Sequence, residues 1–173
     1  MDVEMAVGVM ERSPDVPLEY GEWLGELRRY VHRLTGDPDM SEDVAQEAVL
    51  RLVSASRNTP IEQPRAWLYR AATNIVRDQA RHDAMRQRKP PPLDVRQVET
   101  PEEDLERREL IRGVRAALER IPARDRELLI LRESGFRHRE IAQIIGVKTE
   151  SVSTLAARAL ERFRSAYAGG SVR

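Results

Sequence analysis

The sequence predicts an all-α protein made of two small helical domains, which are joined by a proline-rich linker. Apolar residues recur at helical spacing in both halves, and no stretch shows the sustained alternation of a strand. Between the halves, Lys-Pro-Pro-Pro at 89–92 and the residues up to 103 have no helical repeat. Aromatic residues make up only 5% of the 173 residues, which favours small helical units over a large sandwich or barrel.

Three helices are predicted in the first half. The first has an apolar face and ends near Gly36. We expect Ser41 to cap the second, with two acidic residues in its first turn. Pro64 suits the first position of a third helix that continues to about His82. The apolar face of the first helix contains Trp23, Leu24, Leu27, Tyr30, Val31 and Leu34.

In the second half we predict a helix over about 103–120, a helix over 124–133 that follows Pro122, and a helix-turn-helix over 135–158. Ala142, Gly146 and Val152 occupy the small, turn and buried positions that let two helices cross closely. A plain helical hairpin is the alternative interpretation of this spacing.

These elements predict five segments. Residues 1–16 form a loosely held leader and 169–173 a flexible tail. The first domain covers 17–86 and the second covers 104–168. The linker covers 87–103, where consecutive prolines favour an extended, semi-rigid chain.

The composition argues against several classes of function. Without cysteine there is no disulfide, thiolate metal site or cysteine nucleophile, and the three histidines lack ligand spacing. We also find no nucleophile–base pair or phosphate-binding loop, so we expect no catalytic residue, no metal and no cofactor. The chain has no apolar run of about 20 residues and begins without a secretory signal, so we expect a cytoplasmic protein.

The net charge of zero conceals an uneven distribution. Residues 1–60, 61–91, 92–110 and 111–173 carry net charges of −6, +4, −4 and +6. A mixed solvated surface would explain this pattern. The alternation also keeps a nucleic-acid partner possible despite the neutral total.

The polar side of the second helix contains Asp43, Gln46, Glu47 and Leu50. A solvated acidic face is one interpretation. Leu50 does not fit a face that meets only water, so the pattern also indicates a docked partner with an apolar spot and a basic rim.

On the third helix, four polar residues fall within an arc of about 60° at helical spacing, with Trp67 beside them. Such a cationic stripe suits a nucleic-acid backbone, and the indole can stack on an unpaired base. The alternatives are a solvated basic face and a Trp67 that belongs to the core. The four residues of this stripe are Arg70, Asn74, Arg77 and Arg81.

Three of these surfaces, in this order, resemble the extracytoplasmic-function (ECF) group of bacterial sigma factors. SEDVAQEAVLRL at 41–52 is similar to the family's polymerase-binding helix, and PRAWLYRAATNIVRDQAR at 64–81 to its −10 promoter helix. The stretch at 121–163 is similar to its −35-binding domain. The resemblance covers about residues 20–167.

The resemblance implies roles for each surface. Asp43, Gln46, Glu47 and Leu50 would dock on the clamp helices of core RNA polymerase. Trp67 and the stripe would bind the −10 element, and a base of that element would be captured somewhere in 54–63. The second domain would rest on the polymerase flap, and an anti-sigma factor, often membrane-bound in this family, is a further expected partner. The residues expected at the −35 element are Arg137, Arg139, Lys148, Ser151, Ser153, Thr154 and Arg158.

The helix that should read the −35 element has little positive charge. Lys148 stands where the family often has a capping serine, and Ser153 and Leu155 stand where it often has basic residues. Polymerase tethers a sigma factor to DNA through two domains, so neither needs strong affinity alone. Arginines around the motif can supply the phosphate contacts.

Two other functions are compatible with parts of the sequence. A stand-alone helix-turn-helix regulator would explain the second half, but it would leave the acidic face and the stripe without a role. An enzyme with a helical DNA-binding tail would need a catalytic group, and none is found.

Overall fold

The computed structural model describes residues 19–57, 59–86 and 105–170. These residues form seven helices, and the described part of the chain contains no strand. The chain divides into two compact units between residues 90 and 91. The first unit contains α1 (Glu19–Thr35), α2 (Pro38–Ser56) and α3 (Pro64–Met85); the second contains α4 (Leu105–Arg120), α5 (Ala123–Glu133), α6 (His138–Ile145) and α7 (Thr149–Ala168).

The all-α, two-domain prediction is confirmed. The predicted leader and linker, together with residues 171–173 of the predicted tail, lie outside the described residues.

In the first unit each helix buries one apolar stripe against the other two. Leu27 and Val31 of α1, Leu52 of α2 and Leu68 of α3 are at most 1% exposed. Trp23, which we assigned to the same face of α1, is only half-buried. The core thus uses the predicted stripes and leaves the opposite face of each helix in solvent.

The prediction for the start of α2 is wrong. Asp37 is the N-cap: its Oδ1 accepts a hydrogen bond from the Met40 N–H at 3.0 Å, and Pro38 occupies the first turn. Ser41 is buried inside the helix, where its hydroxyl donates to the Asp37 carbonyl. Gly36, at φ 71°, lets α1 end directly before this cap. An aspartate followed by proline therefore outcompetes a serine that lies one turn later.

A buried polar contact joins α1 to α3. The hydroxyls of Tyr30 and Thr73 lie 2.8 Å apart, and Thr73 Oγ1 also donates to the Tyr69 carbonyl at 2.7 Å. The rings of Tyr30 and Tyr69 pack with centroids 4.9 Å apart. Burial raises the pKa of Tyr69 to about 12, against the opposing charge of Arg65, so its phenol stays protonated. This network sets how α3, and any surface on it, is presented.

In the second unit α7 is packed against the three other helices. Two arginines form hydrogen bonds between helices of this unit. Arg162 of α7 donates to Asp125 of α5 at 2.6 Å. Arg126 donates to the Leu118 carbonyl of α4 at 2.9 Å, and burial lowers the pKa of its guanidinium. Asp125 is only 6% exposed, whereas the Arg162 side chain is 55% exposed, so solvent screens this ion pair from one side only. The buried apolar residues at the centre are Leu128, Leu131, Ile141, Ile144 and Val152.

The turn between α6 and α7 depends on Gly146. Its φ is 73°, in the left-handed region, and its N–H donates to the Ala142 carbonyl at 3.0 Å. The Val147 N–H donates to the same carbonyl. Ala142 and Val152 are buried where the two helices cross, which is the helix-turn-helix arrangement predicted from their spacing.

Gly146→Ala is expected to destabilise the second unit by about 1–2 kcal/mol, because a left-handed alanine is strained. An added Cβ would meet no heavy atom within 4 Å, so the cost comes from the backbone alone. Asparagine tolerates this conformation better, and Gly146→Asn should therefore cost less. Urea unfolding followed by helical circular dichroism measures the effect.

Tryptophan fluorescence provides the internal control, because both tryptophans, Trp23 and Trp67, lie in the first unit. Its midpoint should stay unchanged in the variants. Equal losses for Ala and Asn would contradict the backbone explanation.

Candidate protein and nucleic-acid interfaces

The acidic face of α2 consists of Asp43, Gln46, Glu47 and Leu50. Asp43 and Glu47 are exposed, and the Leu50 side chain is 55% exposed although Val49 beside it is buried. An exposed leucine among carboxylates is the feature that distinguishes this face from an ordinary solvated one.

Two ion pairs extend across this face. The Glu47 carboxylate accepts from Arg51 at 2.7 Å within α2. Glu42 receives Arg28 of α1 at 2.6 Å and the amide of Gln46 at 3.0 Å. Gln46 therefore lies half-buried and turned along the helix instead of toward solvent. Sequence reasoning did not include Glu42 or Arg51 in this face, although the spacing of four residues between Glu47 and Arg51 could have shown the second.

On α3 the structure brings most of the predicted stripe together. Arg70, Asn74 and Arg81 are exposed on one side of the helix. Arg77 is half-buried and already engaged within the protein, so it is less available than the sequence suggested. Arg81 lies 3.3 Å from Asp78, but both side chains are mostly exposed, and such a pair is weak. Trp67 is half-buried beside the stripe, so it is neither fully exposed for stacking on a base nor fully part of the core.

The start of α3 is held against α1. Arg65 donates to Glu26 at 2.8 Å, and its guanidinium carbon lies 5.6 Å from the centre of the Tyr69 ring. Pro64 is the first helical residue, as predicted. These contacts fix the direction in which the stripe projects.

The exposed side of the helix-turn-helix carries six of the seven residues predicted to meet DNA. Ser151 is the exception, because it is half-buried. It lines a shallow concavity with Lys148, Gly146 and an arginine from α5, Arg124. Sequence reasoning missed Arg124, which is 24 residues from Lys148 along the chain and joins it only in the folded unit. The six exposed residues are Arg137, Arg139, Lys148, Ser153, Thr154 and Arg158.

The N-termini of the two helices of the helix-turn-helix, α6 and α7, are capped differently. At α6, the Glu140 carboxylate accepts the Arg137 N–H at 2.7 Å. At α7, Lys148 is the N-cap residue and its side chain makes no capping hydrogen bond. This agrees with the absence of a capping serine noted in the sequence. The first N–H groups of α7 consequently have no side-chain acceptor from the N-cap.

A histidine lies on the same surface. His138 is exposed at the first position of α6, and its Nδ1 is 3.3 Å from the Ser153 hydroxyl on α7. Spacing gave no signal for this pair, since the two residues are fifteen apart.

The described residues contain no group of three or more side chains placed to hold a metal. Among the same residues, no helix is long and apolar enough to cross a membrane.

Comparison with known proteins accounts for both units. Residues 20–86 match sigma-70 region 2, and residues 111–163 match sigma-70 region 4. The RNA polymerase sigma-H factor of Pseudomonas aeruginosa is 30% identical over 154 residues, which cover 80% of this chain and 76% of that protein. The ferric citrate uptake sigma factor FecI of Escherichia coli is 26% identical over 155 residues, covering 86% and 90%. The ECF sigma factor SigE of Mycolicibacterium smegmatis is 27% identical, covering 79% and 55%.

Solved structures share the fold. The sigma factor RpoE in complex with the anti-sigma factor NepR from Bartonella quintana has a TM-score of 0.68 at 22% identity, covering 86% of this chain and 93% of that one. The PhyRSL–NepR complex from Sphingomonas sp. Fr1 has a TM-score of 0.57 at 24% identity, covering 95% and 88%.

The first unit matches sigma-70 region 2, a domain that a stand-alone helix-turn-helix regulator would not contain. That alternative is therefore wrong. With both regions matched in order and relatives similar over most of their length, the chain belongs to the ECF group of the sigma-70 family, the promoter-recognition subunits of bacterial RNA polymerase.

Proposed function

We propose that the two units divide promoter recognition between them. Residues 17–86 act as sigma domain 2, which binds the polymerase clamp and the −10 element. Residues 104–168 act as sigma domain 4, which rests on the flap and binds the −35 element, and 87–103 link the two. The observation that carries this proposal is the separation of an acidic face on α2 from a cationic face on α3 within one small unit.

Run-off transcription tests the proposal as a whole. Core polymerase with the full chain should initiate at defined sites, and mapping those sites across the genome should yield two conserved promoter elements. Core polymerase alone should not produce these transcripts. Transcription that does not depend on the chain would contradict the proposal.

The polymerase-binding surface is proposed to be Asp43, Gln46, Glu47 and Leu50. Burying the exposed part of Leu50 stabilises a complex by about 1 kcal/mol, which alone is too little for specific docking. The carboxylates add charge complementarity, provided that the partner has basic side chains around an apolar spot. The pair Glu47–Arg51 does not prevent this, because both side chains are about half exposed and such pairs are weak.

Glu47→Lys should weaken binding to core polymerase by at least about a hundredfold, because it places a like charge against a basic partner. Stability should change by less than about 0.5 kcal/mol, since the side chain is exposed. Co-purification and fluorescence anisotropy with core polymerase measure the binding, and thermal unfolding measures the stability.

Two variants serve as controls. Glu62→Lys makes the same charge change at an exposed residue outside α2 and should bind normally. Arg51→Ala removes the internal partner of Glu47 and should leave binding unchanged or tighter. Equal losses in Glu47→Lys and Glu62→Lys would point to net charge instead of a docking surface.

The −10 surface is proposed to be Trp67, Arg70, Asn74, Arg77 and Arg81. The exposed members form a stripe that can follow one phosphate backbone, and the half-buried indole beside it can stack on an unpaired base. Arg77 acts from the edge of this surface, where its contacts within the protein hold it.

Alanine at both Arg70 and Arg81 should reduce open-complex formation by about tenfold, because two phosphate contacts are lost. Core binding should be unaffected, since neither residue lies on α2. Permanganate footprinting of melted promoter DNA measures the effect. Arg29→Ala, an exposed arginine on α1, is the matched control. Normal melting in the double variant would make the stripe an ordinary solvated face.

The −35 surface is proposed to be the exposed side of α6 and α7. The first turns of α7 carry hydroxyls at Ser151, Ser153 and Thr154 and a single arginine at Arg158. We infer that these side chains read shape and hydrogen-bond groups, while Arg137, Arg139 and Lys148 hold phosphates. Weak affinity of this domain is sufficient, because polymerase and the first domain hold it at high effective concentration.

An anti-sigma factor is a further proposed partner. The support is the fold shared with a sigma factor solved in complex with the anti-sigma factor NepR. Exposed apolar side chains at Leu50, Met85 and Leu110 offer surface that such a protein could cover. We propose that the chain works in the cytoplasm, at the nucleoid when bound to polymerase, and that it has no catalytic role of its own.

A further inference from the structure

We propose that a concavity between the end of α4 and the second half of α7 binds a nucleoside diphosphate or triphosphate, and that the bound nucleotide prevents Arg158 from contacting DNA. The concavity has a volume of about 480 Å³, which is within the range of small-ligand sites. The nucleotide site is independent of the other proposals. The competition with DNA rests on the proposed −35 surface.

Three arginines from two helices line this concavity. Arg120 is the last residue of α4, and Arg158 and Arg162 lie one turn apart on α7. All three are exposed. Glu161 is the one carboxylate among the lining residues, so positive charge is in excess. A ligand with phosphate groups suits such a site, because guanidinium groups bind phosphate oxygens through paired N–H donors.

The two arginines of α7 differ in their contacts. Arg162 donates to Asp125 at 2.6 Å, and its guanidinium has further N–H groups for a second acceptor. Arg158 makes no hydrogen bond or ion pair with another described residue. When Asp125 and Glu161 are counted against the three arginines, one positive charge remains unbalanced. An anionic ligand would supply the missing negative charge.

Arg120 is fixed at the other end of the concavity. Its Nη1 donates to the Ala166 carbonyl at 3.2 Å, near the end of α7. The same nitrogen lies close to Gly170, where an added Cβ would be only 2.5 Å away. A guanidinium positioned by such contacts loses less conformational freedom on binding a ligand than a free side chain does.

The length of the concavity favours a nucleotide over a single phosphate. Arg158 and Ala166 both line it, and their separation along α7 corresponds to about 12 Å of helix axis. A lone phosphate cannot contact both ends of a concavity of this length. A nucleoside diphosphate is an elongated molecule that can.

Each part of a nucleotide has a matching group in the concavity. Arg158 and Arg162 hold the phosphates. At the other end the base lies against Pro122 and stacks on the guanidinium of Arg120. The remaining polar groups of the lining, the Glu161 carboxylate and the Ser165 hydroxyl, accept hydrogen bonds from the ribose.

A bound nucleotide would change DNA binding through Arg158. This residue belongs to the concavity and also to the proposed −35 surface. Two phosphates at one guanidinium would repel each other, so nucleotide and DNA compete for it. By linkage, each ligand lowers the affinity for the other by the same factor. The nucleotide therefore acts as an inhibitor of −35 binding.

The first experiment measures ligand binding to the full chain by isothermal titration calorimetry without DNA. The probes are adenosine diphosphate, guanosine diphosphate and inorganic pyrophosphate. Both nucleotides should bind, and pyrophosphate should bind at least about tenfold more weakly because it has no base to stack. Equal affinity for pyrophosphate would reduce the site to simple anion attraction and overturn the proposal. The absence of nucleotide binding at millimolar concentration would overturn it as well.

Four variants locate the site. Arg120→Ala and Arg158→Ala should each weaken nucleotide binding by about tenfold or more, the loss expected for one hydrogen bond to a charged group. Gly170→Ala should also weaken it, without a change of charge, because the new Cβ displaces the Arg120 guanidinium. Arg164→Ala removes an exposed arginine of α7 outside the lining and should bind normally. An equal loss in Arg164→Ala would show that binding reflects general positive charge. Circular dichroism checks that each variant is folded.

A polyglutamate peptide tests the other class of anionic partner. It should bind more weakly than either nucleotide. If it binds more tightly, and Arg120→Ala abolishes that binding, the concavity is a docking site for an acidic protein and the nucleotide proposal is wrong.

The second experiment measures competition on a duplex that contains the −35 element of a promoter mapped by run-off transcription. Either nucleotide should weaken duplex binding, and Arg120→Ala should remove this effect while binding the duplex normally without nucleotide. If bound nucleotide leaves duplex binding unchanged although Arg158→Ala weakens it, the proposed competition is wrong. If Arg158→Ala does not weaken duplex binding, the −35 surface is wrong instead, and the nucleotide site, which is measured without DNA, stands.

Discussion

The structure depends on one constraint: each short helix has to bury a single apolar stripe against its neighbours. In the first unit, residues such as Leu27, Leu52 and Leu68 reach nearly complete burial this way. Since a helix repeats every 3.6 residues, burying one stripe exposes the opposite one. The acidic face of α2 and the cationic stripe of α3 are these opposite sides. The core therefore sets where the interaction surfaces project, and no loop is needed to carry them.

Glu47 on the acidic face and Arg81 on the stripe each form an ion pair within the chain, and both pairs are exchangeable. Glu47 with Arg51 and Arg81 with Asp78 are exposed, so each contributes little to stability. Under our proposal, Glu47 can therefore turn to polymerase and Arg81 to DNA at small energetic cost. The pair Asp125–Arg162 differs, because its carboxylate is buried and it joins α5 to α7. We interpret the exposed pairs as part of the proposed docking surfaces and the partly buried pair as framework.

The weak positive charge of the recognition helix is consistent with a domain that polymerase and the first domain hold at the DNA, as we propose. High intrinsic affinity would hold the second domain on many non-specific sites, because phosphate contacts do not distinguish sequences. Hydroxyls at Ser153 and Thr154 contribute hydrogen bonds without adding such affinity. Under our proposal, the missing charge comes from flanking arginines. Discrimination between DNA sequences and attraction to phosphates then depend on different residues.

The sequence by itself determined the helices, their apolar stripes, the turn at Gly146 and the family, because all of these follow from spacing along the chain. The predicted cap at Ser41 was wrong, because Asp37 followed by Pro38 forms the better cap four residues earlier. Only the tertiary structure decided which polar side chains are drawn into contacts between helices: Arg28 of α1 reaches Glu42 of α2, Arg77 is half-buried, and Arg124 lines the same concavity as Lys148. It also brought His138 to Ser153. Contacts between helices depend on the angles at which their stripes pack, and those angles are not encoded in the spacing of any one helix.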